Sequence, residues 1–197
     1  MLKQLQRAYQ QKPDHPLVLP KESEEQLKIF ETIKKTIVQY TNQSKLGEAE
    51  QLTHLATKIA QQTGNQNQAA LADWCSGLFH LNRDVQRSAK YLKKTADYYH
   101  KTGDSALQGR VLIGYASQIN TLGKFQEAEE AIEHSINCLQ PWPDYHDWPM
   151  IYINQSYVFF MQNRYIQAIE SAEQAESLAR RLASDYPQNA EYHRQRL

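Results

Sequence analysis

His134 and Cys138 stand four residues apart in "FQEAEEAIEHSINCL", a spacing that puts an imidazole and a thiol on one face of a helix. Both side chains are zinc ligands, so the pair is half of a tetrahedral metal site. No second pair is evident in the 197 residues, and the expected role of both is core packing. Cys75 follows Trp74 in an apolar helical pattern and is expected to be a buried, inert thiol. The two cysteines are too few and too far apart for a disulfide framework. His80 and His146 are isolated. No Gly-rich phosphate loop, HExxH or Ser/His/Asp motif occurs in a recognisable context. The expectation is therefore a protein that is not an enzyme and holds no metal or cofactor.

Charge offers a different chemistry. Lysine plus arginine equals aspartate plus glutamate, 22 of each, so the basic excess of a nucleic-acid binder is missing. The balance is not local. From Phe125 to Ala179 there are nine acids, Glu127, Glu129, Glu130, Glu133, Asp144, Asp147, Glu170, Glu173 and Glu176, and Arg164 is the only lysine or arginine. Glu127, Glu130, Glu133, Glu170 and Glu173 are the candidate acidic surface. They form either the solvated outer face of the helices that carry them or a field that steers a basic partner. No run of about 18 apolar residues crosses a membrane, and "MLKQLQRAYQQKPDHP" has no apolar signal core. A cytoplasmic location is expected.

The elements that position these groups repeat. Ala49, Ser88, Ala128 and Ala168 are spaced by 39, 40 and 40 residues. Ala56, Thr95, Ser135 and Ala175 keep the same register, as do the apolar Leu46, Val85, Phe125 and Tyr165, and the mostly small Ile37, Ser76, Ala116 and Ser156. Each copy reads as a helical hairpin. In the third, Leu112, Tyr115, Ala116, Ile119 and Leu122 make one helical face. Gly123-Lys124 turns the chain, and Phe125, Ala128, Ile132, Ser135, Ile136 and Leu139 face back. Small residues fall where two helices cross closely. Gly64 in "QQTGN" and Gly103 in "HKTGD" suit the left-handed end of a helix, with Asn65 and Asp104 capping the next. Ser23 and Gln26 form a capping-box pattern after Pro20. Scarce glycine and proline, seven each, also favour helices over a turn-rich β fold. The pattern predicts helices at 22–42, 45–62, 66–82, 84–102, 105–122, 124–140, 148–162 and 164–184. Four repeats follow, 22–63, 64–103, 104–143 and 144–184, within a domain at 21–184. An N-terminal extension spans 1–20, and 185–197 is a tail or the start of a capping or fifth-repeat helix.

"GKFQEAEEAIEHS" resembles the second-helix signature of the tetratricopeptide repeat, with a turn residue, an aromatic, and alanines at fixed offsets. "NRYIQAIESAEQA" matches nearly as well, "SKLGEAEQLTHLA" loosely, and "NRDVQRSAKYLKKT" least. The period exceeds the usual length of about 34 and resembles the long-helix variant common in large bacterial signalling proteins. The resemblance implies an all-α fold, an α-solenoid of about four hairpins wound into a right-handed superhelix whose first helices line a concave groove. It further implies a non-catalytic protein–protein interaction scaffold that binds a peptide or helix of a partner protein. Two alternatives are a regulatory or sensor segment of a larger signalling protein, such as a caspase-like protease or a transcription activator, and a self-association module.

The groove residues that follow from this resemblance lie on first helices off the packing stripe: Lys34, Val38, Asp73, His80, Arg110, Ile113, Asn120, Tyr157 and Phe160. Each is otherwise simply solvated or packed on a neighbour. A family subclass grips a C-terminal carboxylate with lysine, asparagine and arginine. Lys34 and Arg110 match parts of that pattern, but Val38 and Trp74 stand where its asparagines would fall, and no such clamp is expected. The fourth first helix, "PMIYINQSYVFFM", is apolar nearly all round, so its side chains cannot all face the third repeat. Neighbouring helices, a fifth unit or a partner would cover the rest. The tail "SDYPQNAEYHRQRL" stops where a fifth first helix would begin, which suggests the front portion of a longer protein or a chain capped by its own tail. In "QPWPDYHDWP", Asp147 is placed to cap the next helix, with Pro149 in its first turn. Trp142, Tyr145 and Trp148 are either packed or part of a binding loop.

Overall fold

Thr95 and Ser135, the hydroxyl residues at two of the four small-residue positions, show why the hairpins close. Each is fully buried and donates across the helix pair to a backbone carbonyl, Thr95 Oγ1 to Ala70 at 3.3 Å and Ser135 Oγ to Gly109 at 2.8 Å. The donors are 40 residues apart and the acceptors 39. A second crossing is bonded from either side: Ser88 Oγ donates to Gly77 at 2.9 Å, and Ser156 Oγ to Ala168 at 2.7 Å. Where alanine stands instead, at Ala49, Ala56, Ala128, Ala168 and Ala175, it too is buried. The small side chain permits close approach, and the hydroxyl adds a bond without adding bulk.

The computed structural model describes residues 1–81, 83–142 and 146–185. Among them are nine α-helices and no strand: α1 (Leu2–Gln11), α2 (Ser23–Asn42), α3 (Leu46–Thr63), α4 (Gln66–His80), α5 (Val85–Thr102), α6 (Ser105–Thr121), α7 (Phe125–Leu139), α8 (Trp148–Met161) and α9 (Tyr165–Asp185). The fold is all-α. The chain divides into two compact units, Met1–Thr95 and Ala96–Leu197, with the division inside α5. In the first unit α2 packs on α3 and α3 on α4, and α2 also meets α4. In the second, α6 packs on α7, α7 on α8 and α8 on α9, and α6 also meets α8. In both, the first helices of successive hairpins touch.

The turns repeat as well. Ser44, Gly123 and Asn163 hold φ of 58°, 75° and 62° at matching positions of three hairpins. The amide of the next residue then reaches back five, Lys45 to Tyr40 at 2.8 Å, Lys124 to Ile119 at 3.1 Å and Arg164 to Phe159 at 2.9 Å. This satisfies carbonyls that the helix end leaves open. The second hairpin closes differently, with the Asp84 carboxylate accepting the Arg87 amide at 3.0 Å. Between hairpins, Gly64 and Gly103 take the expected left-handed conformation. Asn65 accepts the amides of Asn67 and Gln68, and Asp104 that of Leu107.

Two local expectations are corrected, and one set of repeat positions lies outside the seam. The capping box does not form: Glu22 holds the N-cap of α2 without a side-chain bond, because Gln26 is drawn elsewhere. Its Nε2 donates to the Pro20 carbonyl at 2.6 Å and its Oε1 accepts from Gln68 Nε2 at 2.5 Å. Asp147 stands at the N-cap of α8 but its side chain makes no capping bond. Leu46 and Tyr165, at the apolar position after the turn, are exposed, and Val85 and Phe125 are only half-buried. The turn places that position at the hairpin's end, outside the interhelix seam.

The N-terminal extension holds a helix that the repeat pattern does not reach. Leu2, Leu5 and Tyr9 step at helical spacing, and Leu5 is buried. After it, Leu17 is buried and its backbone is held in a two-bond ring by the Gln62 amide, which accepts the Leu17 N–H and donates to its carbonyl, both at 2.7 Å.

Candidate functional site

Among the described residues the α8–α9 hairpin carries the largest set of exposed apolar side chains. Helix α8 buries Trp148, Pro149, Ile151, Val158 and Phe159. That leaves Tyr157, Phe160 and Met161 on the opposite face, with exposures of 50%, 55% and 41%. Helix α9 turns Ala168, Ser171, Ala175, Ala179 and Leu182 inward. On its outer stripe are Tyr165, Ile166 and Ile169, with exposures of 53%, 75% and 58%. Phe160 and Tyr165 join the two helices through an edge-to-face ring contact at 5.8 Å. Ile166, Ile169, Glu170 and Glu173 follow one another at helical spacing, so two exposed carboxylates continue the apolar stripe.

The one lysine or arginine of this acidic stretch is held against α7. Arg164 Nη1 contacts both oxygens of Glu129 at 2.9 Å and Gln162 Oε1 at 2.7 Å, and its guanidinium lies 4.1 Å from the centre of the Phe159 ring. Its Nε donates to Gln167 at 2.6 Å. The geometry ties the α8–α9 turn to α7 and leaves Glu170 and Glu173 without compensation from Arg164.

The other groove candidates are disposed differently. Lys34 is 5% exposed, with its ammonium 2.6 Å from Glu31 and 3.6 Å from the centre of the Trp74 ring. Asn120 is 4% exposed and Ile113 is buried, its carbonyl accepting from Asn154 Nδ2 at 3.1 Å. Asp73 is half-buried and paired with Lys94 at 2.8 Å. His80 is half-buried and stacked on Tyr91, and burial is the main cause of its lowered pKa, with Asp84 opposing. Arg110 and Val38 are half-buried. Tyr157 and Phe160 alone of these project well into solvent.

The acidic candidates also divide. Glu130, Glu133, Glu170 and Glu173 are exposed. Glu127 is engaged within the chain, accepting the Tyr115 hydroxyl at 2.5 Å and lying 3.3 Å from Lys124. Asp144 and Tyr145 lie outside the described residues. Trp148 is buried and its Nε1 donates to the Trp142 carbonyl at 2.8 Å, while Trp142 is exposed.

The Tyr115–Glu127 contact has a pH signature. Burial first, and then the Glu127 carboxylate, hold the phenol well above its ordinary value of about 10. The folded chain keeps this proton where the unfolded chain loses it. The contribution to stability is thus complete below about pH 10 and lost as pH rises beyond it. Urea unfolding of Tyr115→Phe should show a shallower loss of stability between about pH 10 and 12 than the parent. Parallel pH curves would contradict this.

Among the described residues no three His, Cys, Asp or Glu side chains are grouped to hold a metal. His134 and Cys138 meet Gln108 instead: Gln108 Nε2 lies 3.3 Å from His134 Nε2 and 3.3 Å from His100 Nδ1, and the Cys138 thiol is 3.7 Å from Gln108 Oε1. Burial raises the Cys138 pKa and pushes Cys75 up to about 12, so both remain thiols near neutral pH. Among the described residues no helix is long and apolar enough to cross a membrane.

Met161, Tyr165, Ile166 and Ile169 were not among the expected site residues. Their signal was in the sequence: Ile166 and Ile169 fall on the helical face opposite Ala168 and Ala175. No family model, curated protein or solved structure matches the chain.

Proposed function

We propose that this chain is a non-catalytic protein–protein interaction module, a tetratricopeptide-like α-solenoid of about four hairpins that binds a peptide or helix of a partner protein in the cytoplasm. The observation that carries the proposal is the set of six large apolar side chains, Tyr157, Phe160, Met161, Tyr165, Ile166 and Ile169, exposed by 41% to 75% on one hairpin. Large apolar side chains left exposed together on one hairpin mark interaction sites. Tyrosine and phenylalanine are suited to such sites because they offer large contact area at little entropic cost. The recurring turns at Ser44, Gly123 and Asn163 support the repeat, and the balanced charge favours protein over nucleic acid as the partner.

Selection from a displayed library of random peptides of about 16 residues tests this. The proposal expects recovered sequences to share a motif and to bind with micromolar dissociation constants, as an exposed site of modest size allows. A selection that converges on no motif would count against an interaction module, whichever face is involved.

A further inference from the structure

We infer that the exposed face of α8 and α9 is the seat of a basic amphipathic helix supplied by a partner protein. The inference rests on the interaction-module proposal and assigns its surface and ligand. Its basis is the hairpin one register earlier. Subtracting 40 from Tyr157, Phe160, Tyr165 and Ile169 gives Ser117, Asn120, Phe125 and Glu129. In the α6–α7 hairpin Asn120 is buried, and Ser117, Phe125 and Glu129 are half-buried. Here α8 packs on both α6 and α7, and Gln162 and Arg164, from the turn after α8, bond Glu129. Glu129 is thus a position where the chain of the next hairpin seats on the third, and its counterpart in the fourth, Ile169, faces solvent, as do Tyr157, Phe160 and Tyr165. Gln126, the counterpart of Ile166, is exposed in the third hairpin as well.

The change of residue type states what the occupant must be. Glu129 is polar and is met by the polar Gln162 and Arg164. Tyr157, Phe160 and Ile169 are apolar, so the complementary helix presents an apolar stripe. Glu170 and Glu173 extend the α9 stripe, exposed, beyond Ile166 and Ile169. They place lysine or arginine on the flank of the incoming helix. An acidic or purely polar helix would bury neither set well.

The test uses the full chain and three synthetic peptides of about 18 residues: leucine and lysine at amphipathic helical spacing, the same composition scrambled, and leucine with glutamate in place of lysine. Fluorescence anisotropy should show binding of the first peptide only, weakened roughly tenfold by Ile166→Glu with Ile169→Glu and several-fold by raising salt from about 0.05 to 0.3 M. The substitutions lie on exposed positions, so the Tm of the double variant should be unchanged. Equal binding of the scrambled peptide, or unaltered binding by the double variant, overturns the inference. A parent dimer in solution that the double variant dissolves would assign the face to a second copy instead. A clear drop in Tm on the same substitutions would assign it to a segment of this chain. A motif recovered from the display library that binds the double variant as well as the parent would leave the interaction module standing and remove this face from it.

Discussion

Trp74→Ala is expected to cost about 3–5 kcal/mol of stability, the range for truncating a large buried aromatic. Trp74 is 7% exposed and sits on α4, where its ring covers the Lys34 ammonium at 3.6 Å. Two terms therefore fall together: the cavity left by the indole, and the cation–ring contact that helps Lys34 tolerate burial. The expected fall in Tm is roughly 10 °C. Lys34→Met is the informative companion. Replacing a buried charged group by an apolar one of similar length removes its desolvation cost along with its contacts, so the expected change is within about 1 kcal/mol. Equal losses from the two substitutions would mean that the ion pair, rather than the ring, secures this part of the first unit. Lys34→Met should also leave peptide binding intact, since the ammonium is turned into the fold.

Gly109→Val is the second large effect. A Cβ at Gly109 would stand 2.7 Å from Leu139 Cγ and 2.9 Å from Cys138 Cβ, closer than packed carbons allow. Leu139 and Cys138 are themselves buried, and the Gly109 carbonyl accepts the Ser135 hydroxyl, so the seam has little room to open. Overpacking at such a site costs about 1–3 kcal/mol, and the branched side chain adds helix cost rather than relieving it. The contrast is Gly47 in α3, where a Cβ would meet nothing within 4 Å. Gly47→Ala should gain about 0.5 kcal/mol from helix propensity alone. Thermal unfolding of the two variants checks the sign of each change. A Gly109→Val protein as stable as the parent would show that α6 and α7 are not held at this distance.

Most of the helical framework was legible because its determinants are local. The small residues at Ala49, Ser88, Ala128 and Ala168 mark the interhelix seam, and all four are buried. Gly64, Gly103 and Gly123 mark left-handed turns, and all three have positive φ. Helix α1 escaped because it stands outside the repeat register, although Leu2, Leu5 and Tyr9 carry its period. Gly109 has no counterpart in the small-residue sets; its importance comes from the close approach of Leu139, which is a property of the packed pair.

The site was less legible than the fold, for a physical reason. Lys34 and Asn120 have the polarity of surface groups, yet the chain buries both, Lys34 by giving it Trp74 and Glu31. Glu127 looks like one of a row of solvated acids, but Tyr115 reaches it from the neighbouring helix. The Trp74 and Tyr115 contacts lie between elements and leave no trace in spacing, whereas the Glu31–Lys34 pair is an i,i+3 contact within α2. Tyr157 and Phe160 were visible because "PMIYINQSYVFFM" holds more apolar surface than one neighbouring hairpin covers. Their companions Ile166 and Ile169 lie opposite the alanine stripe that α9 buries.

The most direct measurement is backbone amide hydrogen exchange of the full chain with and without a peptide recovered from the display library. The account predicts slowed exchange in α8 and α9, centred on 157–170, with α2 to α4 unchanged. Protection confined to α2 to α4, or no protection at saturating peptide, would contradict it.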